Sequence, residues 1–208
     1  MHQRLRAAII TCQLAPGARL HIGNLAREQG VSPGAVREAL AMLEKEGFVA
    51  SEPQKGSTVK GVSAADLLDL TLARVEIEKA CLALSLTHGD IEWESQVVAS
   101  FHRTFRRDAQ QRPVFSHGDP DWVAAHEGFH TALVAACGSQ RLLATRSLLY
   151  DQSERYRRLS LAFSVERDVE SEHRELMQAA LDRDIRRAQA LLEAHIKATA
   201  EALIDASL

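Results

Sequence analysis

Four of the nine histidines in this chain fall at spacings that could bind a metal ion. His126 and His130 are four residues apart and share one helix face with Trp122, Phe129 and Leu133. His173 lies in the row Val169, His173, Leu176, Ala180, and His195 in the row Ala188, Leu192, His195, Thr199. Both rows are stripes that face a core. If the chain reverses near Arg183, a rise of about 1.5 Å per residue brings His173 and His195 to nearly the same height on two neighbouring helices. Two imidazoles from one helix and two from a helix pair can then converge on a divalent transition ion, with Zn(II) expected and Ni(II) compatible. Taken singly, each histidine reads as a core residue; convergence is what turns the set into a ligand group.

Arg74 is the second chemical signal. It interrupts the apolar series Leu67, Leu70, Arg74, Ile77, Cys81, Leu84, whose spacing describes a buried helix stripe. A buried guanidinium needs an anion, supplied either by an internal carboxylate such as Glu76 or Glu78 or by a small acid bound from outside. Tyr156 and Arg157 are further candidates for contact with such a ligand, while Trp93, Phe101 and Phe105 are spaced as core.

The elements that must position these groups are mostly helices. Ser63-Ala64-Ala65-Asp66 reads as a capping box, and helices are expected at about 64–88, 91–110, 120–137, 139–161, 165–182 and 184–206. Short connections between them imply an antiparallel all-α bundle over 63–208. The 208 residues are 46% hydrophobic, enough for a packed core, and contain neither a membrane-length apolar run nor the pattern of a signal peptide, so a cytoplasmic protein is expected. Cys12, Cys81 and Cys137 sit in apolar patterns and read as buried thiols rather than disulfides.

Residues 1–62 differ in character. They carry a net +3 against −6 for the remainder, which suits a small DNA-reading module joined to an acidic body. A first helix is expected over His2 to Thr11, a second capped by Asn24 and stopped at Gly30, and a third opened by Ser32-Pro33 and closed at Gly47. Two helices around a tight turn, followed by a hairpin through Pro53-Gln54-Lys55-Gly56, make a winged helix-turn-helix. The third helix would place Ser32, Gly34 and Arg37 at the major groove. Lys55, Gly56, Ser57 and Lys60 would lie on the wing near the flanking backbone. The bland alternative pairs Arg37 with Glu38 or Glu44.

The segments Leu14-Ala15-Pro16-Gly17-Ala18-Arg19-Leu20, Gly30 to Leu40, Leu43 to Val49 and Lys55-Gly56-Ser57 resemble the GntR family of winged-helix regulators. Pro33 departs from the arginine that many members place after the opening serine, which bears on operator sequence. Arg74 to Glu78, His126 to His130 and the His173 to His195 span are similar to the FCD sensor domain of the FadR branch. That resemblance implies a metal held by His130, His173 and His195, with His126 where a carboxylate is usual, and an arginine, Arg74, facing the ligand cavity. Gly89 to Glu94, His126 to Ser139 and Arg155-Tyr156-Arg157 further resemble regulators of glutarate utilisation, implying a C4 to C6 dicarboxylate effector. The whole describes a homodimeric repressor that binds double-stranded operator DNA and is released by a small carboxylate. Two alternatives remain: a metalloenzyme acting on a small acid, and a regulator whose metal is purely structural.

Overall fold

The computed structural model describes residues 1–52, 56–110, 112–115, 119–160 and 168–205. It divides into two compact units. The first holds residues 1–70, the part of helix α7 (Gln140–Ser160) from Leu148 onward, and the end of helix α9 (Ile185–Asp205) from Leu203. The second holds Thr71–Ser147 and the described residues from 168 to Ala202.

In the first unit, α1 (His2–Ile10), α2 (Ile22–Gln29) and α3 (Pro33–Lys45) enclose Ile9, Val36, Leu43 and Phe48, all of them fully removed from water. Each such side chain contributes about 1.5–3 kcal/mol. Ser32 caps α3 by accepting the Ala35 N–H, Pro33 occupies its first position, and Gly30 ends α2 in the left-handed region. The hairpin β2 (Val49–Glu52) and β3 (Gly56–Val59) forms as expected. A third strand, β1 (Arg19–Leu20), pairs with β3 and went unanticipated, because two residues carry no alternation to read. The cap of α2 is His21 rather than Asn24, whose side chain instead accepts from Arg27. The first helix ends at Ile10 with Thr11 as its cap, and Cys12 beyond it takes a left-handed conformation (φ 58°).

The second unit is a helical bundle built from α4 (Ala64–His88) from Thr71 onward, α5 (Ile91–Thr104), α6 (Pro120–Val134), the start of α7, α8 (Val169–Leu181) and α9 as far as Ala202. Ser63 accepts the Asp66 N–H at the start of α4, as a capping box requires. Helix α5 ends at Thr104, six residues earlier than expected, and beyond it the Asp108 carboxylate accepts the Gln110 and Arg112 N–H groups. Trp93 Nε1 donates to the Ala132 carbonyl and Thr104 Oγ1 to that of Ala125, fastening α5 against α6. Arg183, at φ 56°, makes the reversal between α8 and α9; its guanidinium donates to the Leu86 and Gly89 carbonyls and covers the Trp93 ring. No helix among the described residues is long and apolar enough to cross a membrane.

Candidate metal centre and nucleic-acid interface

Helix periodicity sets the four imidazoles on core-facing stripes, and the Arg183 reversal brings α8 and α9 together, with the His173 and His195 ring centroids 4.5 Å apart. His126, His130 and His173 are buried and His195 partly so. The Nε2 atoms of the first three form a triangle with edges of 3.2, 3.1 and 2.9 Å. All four histidines offer a ring nitrogen within 4.8 Å of every other.

Donor chemistry gives a test of whether this set suits a metal. Metal–nitrogen bonds of about 2.0–2.1 Å put ligand nitrogens about 3.0 Å apart at right angles and about 3.4 Å apart at the tetrahedral angle. The observed edges fall in or just below that range. Proton positions agree. His173 Nδ1 donates to the Val169 carbonyl at 2.6 Å, so its Nε2 carries a lone pair. His195 Nδ1 lies 2.9 Å from a Glu172 carboxylate oxygen, the orienting contact that metal-bound histidines commonly have. With all three Nε2 atoms deprotonated, lone pairs this close would repel, and a shared cation would relieve the repulsion. Burial, the three other imidazoles and then the Arg74 guanidinium push His130 well below its ordinary pKa, which keeps it in the neutral, ligating form.

His126 is stacked on Trp122 at 4.6 Å, and its neighbour Glu127 is exposed. Glu172 was missed by sequence reading; its neighbour His173 faces the core, and only the fold shows that Glu172 reaches His195 across the helix pair.

Arg74 is partly buried, with 12% of its side chain exposed, and its charge reaches His130. The buried face of α4 is wider than the expected series: Leu67, Leu70 and Cys81 are buried as expected, Arg74, Ile77 and Leu84 only partly, and Thr71, Val75, Glu78, Leu82 and Ser85 are buried beside them. The deepest charged group on α4 is consequently Glu78, which pairs with Arg74 at 3.2 Å. A second buried arginine, Arg146 on α7, pairs with the same carboxylate at 3.1 Å and had no signal in the sequence.

Tyr156 and Arg157 belong to the first compact unit and the four histidines to the second. Tyr156 is buried and its hydroxyl donates to Asp66 at 2.6 Å. Burial and this carboxylate push the phenol up to about 12. Burial raises Asp66, but hydrogen bonds from Lys60 and Tyr156 outweigh it and hold the carboxyl below its usual range. Arg157 Nε donates to Glu154 at 2.7 Å. Its neighbour Arg155 is 2% exposed and donates to the Lys60 carbonyl at 3.0 Å. Helical periodicity showed three arginines on one segment but could not show which of them the tertiary fold covers.

In the first unit, Ser32, Gly34 and Arg37 are all exposed at the N-terminal end of α3. Among the described residues Arg37 enters no ion pair, so the expected alternative with Glu38 or Glu44 does not form. Gly56 opens β3 at φ 86°, and Ser57 faces Ser51 across the hairpin at 3.1 Å. Lys55 lies outside the described residues. Cys81 and Cys137 are buried free thiols, whereas Cys12 is only partly covered.

Comparison with known proteins matches these two assemblies separately. Residues 1–59 match the bacterial regulatory proteins of the gntR family and residues 69–198 match the FCD domain. The chain is 40% identical over 198 residues to the HTH-type transcriptional regulator BphR of Paraburkholderia xenovorans, covering 95% of this chain and 81% of that protein. It is 34% identical over 200 residues to the HTH-type transcriptional repressor GlaR of Escherichia coli, covering 92% and 89%. Two solved structures share its fold: E. coli McbR, with a TM-score of 0.79 and 19% identity over 100% of this chain and 96% of that one, and a GntR regulator from Rhodococcus, at 0.76 and 23% over 100% and 97%. The chain belongs to the GntR family of bacterial transcription regulators, with an FCD sensor domain behind its winged helix.

Proposed function

We propose that the protein is a cytoplasmic, homodimeric repressor whose residues 1–62 read a palindromic operator and whose residues 63–208 release it when a small carboxylate binds. Membership of a family of regulators removes the metalloenzyme alternative. The observation that carries the sensor reading is the buried triangle of Nε2 atoms with the Arg74 charge beside it.

His126, His130 and His173 would hold a divalent transition ion, Zn(II) or Ni(II), through Nε2, with His195 as the fourth donor oriented by Glu172. When bound, the ion supplies a Lewis-acidic position for one carboxylate oxygen. Arg74 contributes a fixed positive charge to the same carboxylate, in surroundings where Coulomb attraction is weakly screened. Glutarate or a neighbouring C4 to C6 diacid is the proposed effector, on the similarity to GlaR and on the sequence resemblance.

At the other end, Arg37 offers a forked guanidinium to guanine or phosphate, and Ser32 and Gly34 let the start of α3 approach the groove. Gly56, Ser57 and Lys55 on the wing add backbone contacts. Two-fold symmetry doubles the half-site and sets its spacing, and effector binding favours a dimer geometry that no longer matches it.

Gel mobility shifts with the protein's own promoter test this reading. Metal-loaded protein should retard the DNA, and millimolar glutarate should release it. Retardation unaffected by any of succinate, glutarate and adipate, together with a melting temperature that falls on chelation, would instead mark the metal as purely structural.

A further inference from the structure

Helix α5 buries one face and leaves the other to water. Trp93, Val97, Ser100, Phe101 and Thr104 point into the bundle. At about 100° per residue, Ile91, Ser95, Val98 and His102 line up on the opposite side. A helix face that meets only solvent carries polar residues. Ile91 is instead 75% exposed, more than any other large apolar side chain among the described residues, and Val98 is 44% exposed. Both line an open groove of about 620 Å³, together with the small residues Ser95 and Ala99 and with Leu181 of α8.

The charges beside this ridge are sorted along the helix. Asp90, Glu92 and Glu94 stand at its start, His102 and Arg103 at its end. Glu92 and Arg103 lie on the same flank of the ridge, about 20° apart in projection down the axis. Both are exposed, and among the described residues neither enters an ion pair; Glu92 accepts from Gln96 at 3.0 Å and Arg103 donates to the Ala99 carbonyl at 3.3 Å, contacts made within α5 itself. Such a helix is complementary to its own reverse. Turned about a two-fold axis at Val98, a second copy of α5 runs antiparallel to the first. Glu92 lies six residues before that axis and Arg103 five after it, so at about 1.5 Å per residue each Glu92 comes level with the partner's Arg103. The two-fold keeps like flanks together, and the pair therefore occurs twice. The helix dipole alone would account for the sorted charges, but it gives no reason for Ile91 and Val98 to lie bare beside them.

We propose that the outer face of α5 is the surface through which two copies of the sensor domain associate. The two helices pack antiparallel with Val98 against Val98 at the axis, each Ile91 is covered by the last turn of the other helix, and a Glu92–Arg103 pair closes the rim at either end. Apolar burial holds this face together, and the rim charges select the partner and the register. The inference deepens, and rests on, the homodimer reading. Its occupant is a second copy of this chain because the charge pattern matches itself in reverse.

The test is sedimentation velocity on the full-length protein over a concentration series, with circular dichroism as the check of folding. V98E sets two carboxylates against each other at the axis and should weaken the dimer by about a hundredfold. E92R and R103E each turn two attractions into two repulsions and should weaken it by about tenfold. E92R/R103E exchanges both partners and should return to near the wild-type dissociation constant. A second readout does not depend on those variants: V98C treated with the azo oxidant diamide, which takes up the two thiol hydrogens as the S–S bond forms, should give a disulfide between copies beyond any that wild type forms through Cys12, Cys81 and Cys137. A dimer left unchanged by V98E and by both single reversals, a double reversal weaker than either parent, or a V98C variant that links no more than wild type overturns this face while leaving the homodimer standing. Wild-type protein that sediments as a monomer throughout the series overturns the homodimer and this inference together.

Discussion

Mild acid should destabilise the metal-free protein, and His130 accounts for a definable share of the loss. The group is buried, and its pKa is pushed well below the ordinary 6.5 by burial first and then by the other imidazoles and Arg74. The unfolded chain takes up a proton there as pH falls through 6.5, whereas the native chain does not. Stability contributed by the depressed group is therefore fully present above 6.5 and drains away below it. Each such group approaches a slope of about 1.4 kcal/mol per pH unit, so His130 alone should cost about 1 kcal/mol between about pH 6.5 and 5.5. For a chain of this length that corresponds to about 2–4 °C in melting temperature. The assay is urea denaturation of chelator-treated wild type and H130Q at closely spaced pH values, read as the difference in slope rather than in absolute stability. Asp66, held below the usual carboxyl range, loses its contribution only at lower pH and does not confuse the window. Parallel pH profiles for wild type and H130Q would refute the burial argument and with it the claim that the ring stays neutral in readiness for a metal.

Arg37→Ala, at an exposed side chain outside any described ion pair, should weaken operator binding by about 1–3 kcal/mol while leaving the melting temperature unchanged; fluorescence anisotropy and a thermal melt check both halves. Tyr156→Phe removes the buried hydroxyl that donates to Asp66 and should cost about 1.5–3 kcal/mol in denaturant titration. Gly47→Ala should destabilise by about 1–3 kcal/mol, because φ there is 74° and the new Cβ would meet Gln152 Nε2 at 2.8 Å. In the intact protein that Gln152 nitrogen donates to the Glu46 carbonyl at the end of α3, so the same variant should also weaken operator binding.

Local rules were sufficient for what depends on neighbours in the chain. Ser32-Pro33 and Gly30 bounded the helix-turn-helix because caps and left-handed stops are written in single residues, and the row spacing of His126, His130, His173 and His195 placed them on core faces because helix geometry is periodic. The break at Arg183 even set the height at which α8 and α9 juxtapose their imidazoles. Contacts made across the fold were another matter. Whether Arg74 or Glu78 lies deeper depends on how far the buried face of α4 extends around the helix, which the packing of its neighbours decides and its own hydropathy does not. Arg146 and Arg155 look like ordinary surface charges in sequence, yet both are buried, because the carboxylate and the carbonyl that accept from them come from residues 68 and 95 positions away. A guanidinium can be covered only where such a partner is waiting, and that partner exists only once the chain has closed on itself.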